Sequence, residues 1–306
     1  MAIGDCFAVT EGSCSDLYYV DTGMYDAPEY GSVYIVDGER PALVDSGIGT
    51  EYERILAAMD DVGIAPDDLA VIALTHVHLD HAGGAGFLAA ECPNATVAIH
   101  EIGAPHLADP SRLVEGTKAA VGDLWGLYAE PEPVPEDRIR ELSDGDVIDL
   151  GDRELHVHHA PGHAPHQVVF EDPADAVVFT ADAAGIYVPS GDFVHHTSPP
   201  PNFDLEQVLA DANMIEDLAP EVLCYGHFGP ATTDDRLREY ADVIADWVDR
   251  IATKRAELGD DEAVIDYFAE QTEMVDVWGD RKARGEERMN VRGVLTYLDH
   301  RESADE

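Results

Sequence analysis

The chain has 306 residues, a length that suits one large domain or a core with a small extension. Hydrophobic residues make up 45% of it, so the excess of 63 acidic over 18 basic residues indicates an acidic surface on a folded protein rather than disorder. A surface with a net charge of −45 repels nucleic acid, which proteins bind through lysine and arginine, and it disfavours anionic membranes. We therefore expect a small-molecule substrate, with neither nucleic acid nor a membrane as a partner.

The N-terminal residues show no secretory signal, because 1–5 lack a basic region and the apolar run that would follow it. No stretch of about 18 apolar residues predicts a membrane span. Four cysteines occur, at Cys6, Cys14, Cys92 and Cys224, without a C-x-x-C pair. We expect reduced thiols in a cytoplasmic protein, with a disulfide between Cys6 and Cys14 as the alternative.

Apolar runs and turn residues predict a β-hairpin in the first part of the chain. Residues 32–36 and 42–44 flank a turn at 37–41 that contains glycine and proline. The second run ends in Asp-Ser-Gly, which makes Asp45 a candidate site residue at the end of a strand. Helical spacing of apolar residues then predicts a helix over 51–59.

Three histidines and an aspartate follow the next predicted strand, at 69–74. Imidazole nitrogens and carboxylate oxygens are the ligands that a cation such as Zn²⁺ takes. At a strand-to-loop corner, His76 and His78 can point to one position while Asp80 and His81 reach a second one nearby. This is the layout of a two-metal site, in which a bridging water becomes a hydroxide at neutral pH.

The region from 101 to 140 is less regular than its surroundings. A helix is predicted to open at the glycine-rich 83–86, a strand follows at 96–99, and a helical segment at 114–128 then lies among several prolines. We interpret 101–140 as an insertion that overhangs the site. Its apolar residues predict either a pocket wall or ordinary helix packing; they are Leu113, Trp125, Leu127 and Tyr128.

Further candidate ligands follow short β-runs in the second half of the chain. His163 comes after a Pro-Gly turn, and Asp182 and His227 end apolar runs. One such residue alone is typical of a turn or cap. Their repetition at strand ends indicates a site at one edge of a sheet. His195 and His196 lie in a loop after Asp182, where they are candidates for donating a proton to a leaving group or are surface residues.

After Pro230 the pattern becomes helical. A long amphipathic helix is predicted at 234–258, with shorter helices at 261–271 and 291–298. We therefore predict a catalytic domain over 1–230 and a C-terminal helical extension over 231–306, without a ligand-like cluster in the extension. A cap, a surface for a homodimer and a support for the core all stay open for it.

In these motifs and their order, the chain resembles the metallo-β-lactamase-fold superfamily of hydrolases over about residues 1–230. The resemblance implies an α/β fold, an αββα sandwich of two mixed β-sheets flanked by helices, with a C-terminal helical extension. It implies that Asp45 is an outer partner that orients a ligand histidine. The implied ligands are His76, His78 and His163 for a first metal, Asp80, His81 and His227 for a second, and Asp182 as a bridge. Segments 100–113 and 197–204 resemble a poorly characterised branch.

The activity implied by the resemblance is hydrolysis of an ester-type bond, such as a thioester or lactone, by a bridging hydroxide on two Zn²⁺ ions. Iron or manganese are alternatives to zinc. Asp80 would orient the hydroxide, and a histidine at His78 favours hydrolysis because redox members that hold two irons place a carboxylate there. The alternatives are a mononuclear iron persulfide dioxygenase and a phosphodiesterase or nuclease of the same superfamily. A nuclease would need a large insertion before its last histidine, and the segment between Asp182 and His227 is too short for one.

The acidic composition resembles that of proteins from extreme halophiles. At ~1 M salt the Debye length is about 3 Å, so repulsion between surface carboxylates is screened. We expect the fold to loosen in dilute buffer, where this screening is lost.

Overall fold

Two β-sheets pack against each other in the computed structural model of the chain, which describes residues 2–304. The strands are β1 (Cys6–Ala8), β2 (Leu17–Asp21), β3 (Ser32–Val36), β4 (Ala42–Val44), β5 (Val71–Ala73), β6 (Thr96–His100), β7 (Ile139–Leu142), β8 (Val147–Asp149), β9 (Glu154–His159), β10 (Val168–Asp172), β11 (Val177–Ala181), β12 (Ile186–Val188), β13 (Phe193–His195), β14 (Val222–Tyr225) and β15 (Gly229–Thr232). The seven-stranded sheet runs β1 to β7 in chain order, and the six-stranded sheet has the order β15-β14-β11-β10-β9-β8. Both sheets mix parallel and antiparallel pairs, and β12 and β13 form a separate hairpin.

The helices cover the outer faces of the two sheets and one edge of the sandwich. They are α1 (Glu53–Asp61), α2 (Leu79–Ala82), α3 (Ala85–Glu91), α4 (Ala104–Ala108), α5 (Ser111–Val121), α6 (Leu205–Asp217), α7 (Arg236–Leu258), α8 (Asp261–Gln271), α9 (Val275–Trp278) and α10 (Asp280–Ala304). Short 3₁₀ turns occur at Met24–Asp26, Pro66–Asp68, Gly122–Leu127 and Glu136–Arg138.

Alternation of side chains along the strands explains the layers. In β3, Tyr34 faces Phe179 of the second sheet, while Ile35 faces the helices α1 and α3. On the other outer face, Val178 and Leu223 share a core with Trp247 of α7. Because helices cover both outer faces and apolar side chains fill the space between the sheets, the predicted αββα sandwich is confirmed.

Most elements lie where the sequence predicts them, and the hairpin of β3 and β4 is confirmed by its antiparallel pairing. The helix predicted over 114–128 ends earlier, at Val121, because Gly122 adopts a φ of 55° and a 3₁₀ turn follows. The helix predicted over 291–298 is wrong in extent, since α10 begins at Asp280. Its first half is rich in charged residues and shows no apolar period, although Lys282 and Glu286 are buried there.

The C-terminal helices pack on the second sheet. Ile244 and Ile251 of α7 share a hydrophobic core with Leu223 of β14, and Val264 of α8 joins the same core. This packing supports the catalytic core, one of the roles left open for these helices. The division of the chain at 230 stays a prediction.

Candidate metal centre

Seven candidate ligands converge at one edge of the sandwich because the strands that precede them end there. The parallel strands β4 and β5 lead to Asp45 and His76, and the parallel strands β11 and β14 lead to Asp182 and His227. The short helix α2 carries two further candidate ligands, Asp80 and His81. The sequence pattern predicts these two residues but does not predict the helix. The converging ligands form two buried groups, His76, His78, His163 and Asp182 in one and Asp80, His81 and His227 in the other.

The first group surrounds one oxygen of Asp182. Its Oδ2 lies 3.5 Å from His76 Nε2 and 3.1 Å from His163 Nε2. His163 Nε2 lies 3.1 Å from His78 Nδ1. Ligand atoms at about 2.0–2.2 Å from a tetrahedral Zn²⁺ are about 3.3 Å apart. The observed spacing therefore fits a metal ion held among these four residues.

The second group also contacts Asp182. His81 Nε2 and His227 Nε2 are 3.1 Å apart, and His227 Nε2 lies 3.6 Å from Asp80 Oδ2. His227 Nε2 is also 3.5 Å from Asp182 Oδ1. Asp182 Oδ2 also lies 3.4 Å from His81 Nε2, so this carboxylate contacts both groups. It is therefore in position to bridge two metal ions.

Three buried polar atoms in this cluster have no hydrogen-bond partner among the described residues: His76 Nε2, His163 Nδ1 and Asp182 Oδ1. An unpaired polar atom in the interior is costly unless something else satisfies it. His76 Nε2 and Asp182 Oδ1 face the positions that metal ions would take. The donor set and its unpaired atoms therefore fit metal ions.

The charge states of the cluster favour metal binding. Burial lowers the pKa of His76 well below its usual value and that of His163 to about 3, so both imidazoles are neutral and present a free lone pair. Burial alone would raise the pKa of Asp182, but the imidazoles of His163 and His81 lower it overall. The first group thus combines an ionised carboxylate with neutral histidines, the forms in which both residues ligate metals. In the second group, burial alone would lower the pKa of His81, but the carboxylates of Asp182 and Asp45 raise it well above its usual value, so this ring gives up a proton when it ligates a metal.

Outer partners hold the ligand rings in place. His81 Nδ1 lies 2.8 Å from Asp45 Oδ2, and Thr75 donates to Asp45 Oδ1 from both its backbone nitrogen and its hydroxyl. His227 Nδ1 lies 3.1 Å from the carbonyl oxygen of Tyr30. Such contacts fix the tautomer of a ligand histidine so that Nε2 faces the metal. Asp45 thus lies beside a candidate ligand histidine.

A cavity of about 220 Å³ opens on the cluster. Leu113, Val121 and Tyr128 from the 101–140 region line it, whereas Trp125 and Leu127 do not. Arg112 also lines the cavity and carries a positive charge, and His166 contributes to the wall. The 101–140 region therefore overhangs the site as predicted, but only some of the residues predicted as pocket wall line the cavity.

Helix α10 adds residues to this cavity that sequence patterns do not reveal. Glu286 and Met289 line it, and buried Lys282 pairs with Glu286 and donates to the Tyr30 hydroxyl at 2.8 Å. Tyr30 in turn packs against His227, with ring centroids 4.7 Å apart. In so acidic a chain, a buried glutamate has no sequence signal that separates it from the many surface carboxylates.

His195 and His196 lie elsewhere. They line a different groove, together with Glu287 of α10, and neither lines the cavity above the seven ligands. Their predicted donation of a proton to a leaving group at the metal site therefore lacks the contact it needs. The C-terminal extension contributes one residue, Glu287, to this second cluster, whose two histidines lie before residue 231.

The structure also bears on the expectations about the cysteines and about membrane-spanning segments. All four cysteines are free thiols, so Cys6 and Cys14 form no disulfide. Within the described residues, no helix combines the length and apolar character needed to cross a membrane.

Comparison with known proteins places this site in a family. The sequence model of the Metallo-beta-lactamase superfamily matches residues 26–227. A metallo-beta-lactamase fold-containing protein of Sulfurisphaera tokodaii, ST1585, is 26% identical over 234 residues, 74% of this chain and 84% of that protein. The crystal structure of ST1585 has the same fold, with a TM-score of 0.71 at 23% identity over 92% of this chain and 99% of that one.

An acyl-coenzyme A thioesterase of Gallus gallus, MBLAC2, is 30% identical over 188 residues. That match spans 55% of this chain and 62% of the thioesterase. Family match, shared fold and converging ligands agree: the chain belongs to the metallo-β-lactamase superfamily of hydrolases, with a histidine and aspartate site for metal ions.

Proposed function

We propose that the protein is a two-zinc hydrolase that cleaves an ester-type bond of a small molecule, with a thioester as the favoured substrate. The observation that carries this proposal is the sharing of Asp182 between two complete ligand groups that open on one cavity. Two Zn²⁺ ions held there would supply an activated water and polarise the carbonyl of the substrate.

Residues of the chain would orient the reacting groups. Asp80 lies at the cavity wall, and although its burial would raise its pKa, the hydrogen bond to His227 lowers it overall. An ionised carboxylate in this position is able to accept a hydrogen bond from the attacking water and so orient it. Asp45 would keep the His81 ring aligned through its 2.8 Å contact.

The lining of the cavity supports an acyl substrate with an anionic part. Leu113, Val121 and Met289 offer an apolar surface for an acyl chain, and Arg112 offers a positive charge at the same cavity. Coenzyme A thioesters combine these two features. The likeness to acyl-coenzyme A thioesterases supports the same class.

The donor set supports zinc and two metals. Five of the seven ligands are imidazoles, which suit zinc, whereas manganese favours oxygen donors. A mononuclear iron dioxygenase would need only the first group, which leaves Asp80, His81 and His227 without a role. The acidic surface and the short segment between Asp182 and His227 favour a small substrate over nucleic acid. Homodimer formation and a cytoplasmic location remain part of this proposal.

The test begins with elemental analysis of the chain purified in molar salt without chelator, followed by a panel of acyl thioesters, lactones and phosphodiesters. We expect two zinc ions per chain and thioester hydrolysis that a chelator abolishes and zinc restores. One iron per chain with oxygen consumption on a persulfide would instead indicate the dioxygenase. A zinc-loaded protein inactive on every ester of the panel would contradict the proposed reaction.

A variant of Arg112 tests the substrate class. Arg112 is exposed, so Arg112→Gln should raise KM no more than about fivefold for a coenzyme A thioester, since a surface ion pair contributes up to about 1 kcal/mol. A small uncharged thioester should keep its KM. The matched control is Arg238→Gln, since Arg238 pairs with Glu216 at 2.8 Å, is 69% exposed and does not line the cavity. Equal effects on both substrates would argue against a role for Arg112 in binding the anion.

A further inference from the structure

A second cluster of metal-ligating side chains lies outside the site described above. It consists of His195 and His196 at the end of β13 and Glu287 of α10. His196 Nε2 lies 3.3 Å from Glu287 Oε2, and His195 Nε2 lies 3.9 Å from the same oxygen. These distances resemble those between ligand atoms in the first cluster. Three donor atoms thus meet at one point, although no catalytic step uses them.

Neither imidazole has its Nε2 satisfied by the protein. Both nitrogens are buried and have no hydrogen-bond partner among the described residues. The rings cannot easily turn away, because His196 stacks on Trp247 with centroids 3.7 Å apart and His195 packs edge-on against Trp278. Two fixed, unpaired nitrogens aimed at one carboxylate are typical of a site that awaits a ligand.

The charge of the cluster also lacks compensation. Burial lowers the pKa of His195 well below its usual value and that of His196 to about 3, so both rings are neutral at pH 7. Burial raises the pKa of Glu287 to about 7, although His195 and Arg250 lower it in part. A bound dication would favour the ionised form.

The nearby cations are already paired. Arg250 lies 3.7 Å from Asp246, and Lys282 pairs with Glu286 and contacts the Tyr30 hydroxyl. Neither has an ion pair with Glu287 among the described contacts. The local positive charge that would repel a metal ion is therefore partly neutralised.

We propose that His195, His196 and Glu287 form a further metal site, for one dication that favours imidazole ligands, with Zn²⁺ as the probe. Two histidines and a carboxylate supply three ligands, and the groove of about 620 Å³ that all three line leaves a further position open. This groove shares no lining residue with the cavity above the seven ligands. A metal there would join α10 to the β12–β13 hairpin.

The experiment is zinc binding by equilibrium dialysis of the full chain in molar salt, with excess Mg²⁺ to occupy surface carboxylates, followed by elemental analysis. Glu287→Gln keeps the shape of the side chain, and His196→Ala removes a ligand. Each should bind one zinc fewer per chain than the wild type. This difference does not depend on how fully the seven-ligand cluster is occupied, so it stands or fails separately from the proposed hydrolysis.

The matched control is His158→Ala, because His158 also lies in a strand beside a glutamate, Glu171, at 2.8 Å. It should bind as much zinc as the wild type. Equal zinc in Glu287→Gln and the wild type would overturn the proposal. Anomalous scattering from wild-type crystals grown with zinc is a measurement that needs no variant. It should place an ion about 2.0–2.2 Å from both Nε2 atoms, and an empty position beside an occupied first cluster would equally overturn the proposal.

Discussion

Asp45→Asn would separate the two metal positions. The wild-type carboxylate contacts His81 Nδ1 through Oδ2 and accepts from Thr75 through Oδ1. An asparagine keeps the oxygen for Thr75 but turns an amide N–H toward His81. The ring would then place its own proton on Nε2 to avoid a clash of donors, and a protonated Nε2 cannot ligate a metal.

The magnitude follows from this single lost contact. Loss of an outer partner of a ligand histidine lowers metal affinity about 10–100-fold, which corresponds to about 1.4–2.7 kcal/mol. We expect this loss at the position of Asp80, His81 and His227. The position of His76, His78 and His163 should change less than about threefold. The described contacts link Asp45 to these three only through the Thr75 hydroxyl beside His76, and the asparagine still accepts from that hydroxyl.

The assay is competition between the protein and a chromophoric zinc chelator, which resolves a tight and a weakened site. The control is Asp172→Asn, because Asp172 is also buried but pairs with Arg153 at 3.2 Å, outside the metal cluster. That variant should lose stability and keep both zinc affinities. Unchanged binding in Asp45→Asn, or equal weakening of both positions, would refute this account of how His81 is oriented.

Three further outcomes are expected. Asp182→Asn should lose zinc and activity together, at least about 100-fold, since an amide is a poor bridge between two metal ions. His166→Ala should keep both metals and change substrate preference. Elemental analysis together with kinetics distinguishes these two outcomes. Lowering salt from molar to dilute should reduce the thermal midpoint of a chain with net charge −45, and a constant midpoint by circular dichroism would contradict this. Burial raises the pKa of Asp211 to about 6 from 3.8, so the folded state holds its proton more tightly, and stability should fall as pH rises through about 4 to 6. Asp211→Asn still accepts from the backbone nitrogen of Gly162 and should flatten that slope in urea unfolding.

The candidate ligands could be predicted because each follows a strand or turn in the chain. Short apolar runs precede His76, Asp182 and His227, and parallel neighbours place their ends at one edge. Asp45 follows from the same pattern. The sandwich was predictable for a related reason, since buried strands and amphipathic helices alternate along the chain.

Positions set by packing between distant segments could not be predicted. His195 ends a strand and His196 follows it, as the candidate ligands of the first site follow theirs, yet their hairpin carries them to a separate groove. Lys282 and Glu286 look like solvated charges in sequence, although both are buried beside Tyr30. A local pattern gives the direction of a side chain along its own element, but not which face of the fold that element reaches.

The backbone of α10 connects the two clusters, because neighbouring residues of one segment face different spaces. Glu286 lines the cavity above the seven ligands, while Glu287 lines the groove of the second cluster. Thr197 and His196 divide between the same two spaces. A metal ion bound to both Glu287 and His196 would therefore also hold in place one wall of the cavity above the seven ligands. The helix that the sequence places in an extension is thus in position to shape what the metal site accepts.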